Sequence, residues 1–206
     1  MFALVESGSI TRMLNGTQGI TIDGVQHPRT VFTLWTEAER NAIGIYAVEM
    51  DESKKKDEKW YINTNITYAF SGGKVTGSYG DATAREHADT KWTQSEIDAG
   101  KAPEGADTDT VKEEGLKTVL IREVKKQAQN QLNITDWYVT RKSEKDTAIP
   151  SAISTHRDAV RSKQAEMETA ITNASDTPAL ETLYTYTSQE DGSVTRPLGE
   201  LPILED

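Results

Sequence analysis

Apolar residues change their spacing once along this chain, and that change constrains the fold more than any motif does. Over the first 80 residues they recur at every second position, in short runs between turn formers; beyond residue 110 they recur at every third or fourth. A period of two belongs to a half-buried strand, and a period near 3.6 to a helix with one buried face. The two patterns do not interleave. The expected class is therefore α+β with segregated parts: a small antiparallel β module, then a helical hairpin with a short third helix.

The β module is expected over residues 1–82. Phe2-Ala3-Leu4-Val5 and Ile10-Thr11-Arg12-Met13-Leu14 flank Glu6-Ser7-Gly8-Ser9, a turn of hairpin length. Residues 19–25 alternate and carry their own turn signal, Asp23-Gly24, while Val31-Phe32-Thr33-Leu34-Trp35 reads as a further strand. Thr36 and Glu39 have the spacing of a helix cap and its reciprocal partner. Residues 51–59 mix both signs of charge and are expected to be a solvated loop rather than a basic recognition patch. Residues 60–70 have the aromatic and β-branched content of one long strand, which Ser71-Gly72-Gly73 turns back into residues 74–79.

Residues 83–106 are polar and punctuated by glycine and proline, so they are expected to link the β module to a helical module at 107–187. Residues 107–110 offer helix caps. From there Leu116, Val119, Leu120, Val124, Ala128 and Leu132 mark a helix over 110–132, with Gly115 as a local weakness. Pro150 opens a second helix, 151–174, where its fixed φ does no harm. Ile153, Val160, Met167 and Ala174 lie on one stripe of it, and Val160 and Met167 are expected to pack against Leu120 and Val124. A short helix over 179–184 and an acidic tail, 188–206, complete the chain.

Composition excludes more than it identifies. A net charge of −10 disfavours nucleic acid, whose binding needs surplus cations, and disfavours anionic membrane surfaces as well. Without cysteine there are no disulfides, thiolate metal sites or cysteine nucleophiles. No secretory signal precedes the first strand, and no apolar run approaches the roughly 20 residues that span a bilayer, so the chain is expected to be neither secreted nor membrane-spanning. Catalytic, cofactor and metal residues are all expected to be absent. His27, His87 and His156 fall in separate segments, and Glu86-His87-Asp89 lacks a second histidine at zinc spacing. Ser71-Gly72-Gly73-Lys74 lacks the spacing of a phosphate loop.

Trp137 and Tyr138 stand out, following Asp136 at the expected break between the two long helices. Two roles suit them: a plug in the wedge between the helices, which is the expected one, or an anchor for a partner. Together with Val160 and Met167, these residues are the candidate partner or inter-helix contacts.

Two stretches resemble known phage proteins. The opening, Met1-Phe2-Ala3-Leu4-Val5-Glu6-Ser7-Gly8, resembles the "YALVENG" start of small bacteriophage tail-associated proteins. Leu132-Asn133-Ile134-Thr135-Asp136-Trp137, with Arg141, resembles the "LL-x-x-T-D-W-x-x-x-R" element of phage tail-assembly-chaperone and tail-fibre-assembly-like proteins. That pattern continues through Pro150 to Arg157 and Ala159-Val160-Arg161, with His156 in place of the usual aromatic before Arg157. The resemblance covers residues 112–186 and implies a non-enzymatic protein of the tail apparatus. It would be either a structural part of the virion tail, baseplate or fibre, or a transient assembly chaperone in the host cytoplasm. Its implied partners are other tail, baseplate or fibre proteins, or further copies of itself.

Overall fold

A computed structural model describes residues 1–204, which divide into two units, residues 1–83 and residues 84 onward. In the first unit, β1 (Phe2–Glu6) and β2 (Ser9–Leu14) form a hairpin. Ser7 and Gly8 turn it with φ of 51° and 78°, the left-handed pair that matches strand twist. The small hairpin β3 (Ile20–Ile22) and β4 (Val25–His27) follows, then α1 (Glu37–Ala42), which starts on the expected Thr36–Glu39 capping box.

β5 (Ile45–Asp51), β6 (Tyr61–Ile62), β7 (Thr67–Ser71) and β8 (Lys74–Ser78) complete this unit. Five strands form one sheet in the order β2-β1-β5-β8-β7, curled so that its outer strands approach each other. Both faces carry core. Ala3, Val5 and Val75 gather on one with Met13 and Phe70; Leu4 and Ile45 meet Ile20, Ile22, Val31 and Phe32 on the other.

Three expectations change here. The sheet is not wholly antiparallel, because β5 and β8 run parallel with Val48 opposite Val75. Residues 31–35 form no strand: a 3-10 turn, Arg29–Phe32, follows Pro28 and seats Val31 and Phe32 in the core. The long strand expected over 60–70 is broken between β6 and β7. There Asn65 adopts φ of 59°, and the Asn63 amide bonds both the N–H and the carbonyl of Lys56.

β9 (Thr83–Ala84) lies at the division between the units. The stretch expected as a linker contains β10 (Thr90–Lys91) and α2 (Gln94–Asp98), and β10 pairs with β11 (Val111–Glu113). Residues 107–110 do not start a helix, because the Asp107 carboxylate accepts from the Asp109 and Thr110 N–H groups in a local turn. Helix α3 (Leu116–Asn133) begins later, with Gly115 at its N-cap rather than in its interior.

α3 packs against α5 (Ser151–Asn173) as a hairpin, and α6 (Thr177–Tyr184) follows, capped by Asp176. Leu120, Val124 and Ala128 are buried on α3; Ile153, Val160, Met167 and Ile171 are buried on α5. Between the two long helices, where a break is expected, lies another helix, α4 (Asp136–Lys145).

The expected acidic tail is largely tied down. β12 (Thr187–Ser188) pairs with β13 (Val194–Thr195), and the N–H of Leu198, 2% exposed, donates to the Leu183 carbonyl. Arg196 lies over the Tyr184 and Tyr186 rings and pairs with Glu200. Residues 205 and 206 of that tail lie outside the described residues.

Candidate functional site

The turn from α3 into α4 is held by one side chain of α5. Arg157 is 8% exposed, and its Nη1 donates to the Leu132 carbonyl (2.8 Å), Thr135 Oγ1 (2.7 Å) and Asp136 Oδ1 (2.8 Å). Thr135, 1% exposed, also donates its hydroxyl to Leu132 O at 3.0 Å. A guanidinium stays charged at every working pH, so its burial requires compensation. Asp136, half in solvent, supplies the counter-charge, and the carbonyl and hydroxyl supply the remaining acceptors. Three helices are thereby fixed at one point.

That clamp leaves Trp137 outside. Its side chain is 54% exposed, because the buried place at the junction belongs to Thr135. The expected plug is therefore corrected. Its ring lies 4.7 Å from that of Tyr138, and the Arg141 guanidinium stacks 4.4 Å from the Trp137 centroid and 5.3 Å from that of Tyr138. Ile134, just before the clamp, is 63% exposed. Lys142 and Lys145 follow on α4, but Lys142 pairs with Asp146, and across residues 136–146 the cations and anions balance. Exposed tryptophan and arginine are the residue types most enriched where binding energy concentrates. Val160 and Met167 lie in the hairpin core and meet no solvent.

No protein-family model matches this sequence, and neither does a curated protein or a solved structure.

Glu86-His87-Asp89 proves to be a cap rather than a ligand cluster. The Asp89 carboxylate accepts the Gly115 N–H at 2.7 Å, while the carbonyls of Glu86 and His87 accept from Leu116 and Lys117, each at 3.0 Å. These N–H groups open α3 and have no partner within it. The Gly115 N–H, and after it the Thr118 side chain, hold the Asp89 carboxyl below its ordinary pKa. Gly115 is required by space: a Cβ there would lie 2.3 Å from the Ala88 carbonyl carbon.

The histidines remain apart. His27 meets the Trp35 ring edge-on at 5.8 Å, and His156 is buried on α5. Among the described residues no three His, Asp or Glu side chains are placed to hold a metal ion, and no helix is long and apolar enough to cross a membrane. Sequence reasoning missed the clamp and the Arg196 stack. The available signals were Thr135-Asp136 paired with a distant Arg157, and two tyrosines flanking Thr185.

Proposed function

We propose that this chain is a non-enzymatic component of a phage tail apparatus and works through protein–protein contacts made by the Trp137 side of α4. One observation carries the reading. Three of the residues that carry the family resemblance, Thr135, Asp136 and Arg157, form a single hydrogen-bonded network, and a further one, Trp137, lies outside it, exposed under Arg141. Such a network at a helix junction presents an aromatic–cation pair on a rigid support, which lowers the ordering cost of binding.

The test is quantitative mass spectrometry of purified particles alongside the lysate that produced them. Presence at a fixed ratio to tail proteins marks a virion component. Presence in the lysate alone marks an assembly chaperone, and co-purification with no tail protein in either fraction refutes the proposal. The contact face is tested by Trp137→Ala, which should abolish that co-purification while leaving melting nearly unchanged.

A further inference from the structure

The first unit holds a cleft of about 490 Å³ bordered by the end of β2 and the start of β3. Leu14, Ile20 and Phe32 give it an apolar floor, and Gly16 sits so close to Phe32 that a Cβ there would lie 3.3 Å from that side chain. Each flanking strand is hydrogen-bonded on one side only: β2 pairs with β1 while β7 approaches it from elsewhere in the curled sheet, and β3 pairs with β4. Beyond those ladders, residues 12–14 and 19–21 make no backbone hydrogen bond among the described residues.

Arg12 completes the site. It stands opposite Leu4 across the β1–β2 ladder, and cross-strand partners leave a sheet on the same face. Its side chain therefore emerges on the face that carries Leu4, Ile20 and Phe32. No acidic residue lines the cleft, and the Arg12 side chain has no hydrogen bond or ion pair among the described residues. In a chain of net charge −10, this is a cation left for something else.

We propose that the cleft binds an extended segment of a partner polypeptide. An aliphatic side chain of that segment covers Leu14, Ile20 and Phe32, and a carboxylate two residues along meets Arg12. Residues i and i+2 of a strand share a face about 7 Å apart, which supplies that pairing. Free strand edges are the usual template for strand addition, where backbone bonds give affinity and alternate side chains give specificity. A small fatty acid would match the floor and Arg12, yet it would leave the outer backbone groups of β3 unpaired. The observations favour the peptide.

The test uses the full chain, labelled with nitrogen-15, and two blocked pentapeptides, Thr-Leu-Thr-Glu-Thr and Thr-Leu-Thr-Lys-Thr. The glutamate peptide should give saturable shifts at residues 12–14 and 19–21, and the lysine peptide should bind about tenfold more weakly, the effect of ~1.4 kcal/mol. Arg12→Glu should reverse that preference. Arg12 is exposed, so the spectrum of the unliganded variant reports directly whether it folds. Should Arg12→Glu fail to fold, Arg12→Gln must abolish the preference. The proposal is overturned by absence of saturable shifts at millimolar peptide, by equal binding of the two peptides, by an Arg12 variant that keeps the original preference, or by octanoate filling the cleft where neither peptide does. The Trp137 experiment lies in the other unit, so either result can fail without the other.

Discussion

The Arg157 clamp makes an unequal prediction for its two charged partners. Arg157→Met removes the buried charge together with its bonds. Leu132 O then keeps the Thr135 hydroxyl, and Asp136 remains half in water, so little is left unsatisfied. The loss should be about 2 kcal/mol, the range of one hydrogen bond to a charged group. Asp136→Ala instead leaves the guanidinium buried without its counter-charge. Breaking such a pair from one side costs about 3–5 kcal/mol, and the half-exposed position of Asp136 puts this case near 3. The double variant should cost at least about 1 kcal/mol less than the sum, because the second change removes the charge that the first one stranded. Urea unfolding followed by helical circular dichroism measures all three. Additive losses, or a larger loss for Arg157→Met than for Asp136→Ala, would refute the account of the clamp.

Further outcomes follow from the caps and the tail. Gly115→Ala should cost at least about 2 kcal/mol in thermal unfolding, because its Cβ displaces Ala88 and with it the cap of α3. Asp89 is held below its ordinary pKa, so its contribution is complete above about pH 4 and disappears as pH falls through the lowered folded value. Asp89→Asn should flatten that acid limb of the stability curve. Trp137→Ala should shift stability by less than about 0.5 kcal/mol, against the ~3–5 kcal/mol expected of a buried plug. Leu198→Ala should cost about 2–3 kcal/mol and speed proteolysis between residues 185 and 200.

What could be read from the sequence was local. The Thr36–Glu39 box, the Gly72-Gly73 turn and the start of α5 behind Pro150 each depend on residues within four positions, and each forms where expected. The start of α3 lies beyond the point that local residues indicate, because its cap acts across 26 residues while Asp107 offers a nearer carboxylate. Helix α4 was hidden because Trp137, Tyr138 and Val139 are adjacent, and three consecutive apolar residues show no period. The clamp spans 22 residues between Thr135 and Arg157. Its members could be quoted from a resemblance, but their contact could not be deduced from spacing.

The distant cap of α3 also bears on how the chain is made. Synthesis proceeds from the N-terminal end at about 5–20 residues per second, so residues 86–89 leave the ribosome roughly one to six seconds before Leu116 does. The acceptors for the first turn are already outside when that turn emerges, and the costly nucleus of the helix can form against them at once. Relocating the chain termini to residues 100–105 would reverse the order. Leu116 would then be synthesised before Glu86, and the first turn of α3 would stand uncapped until almost the whole chain had been completed.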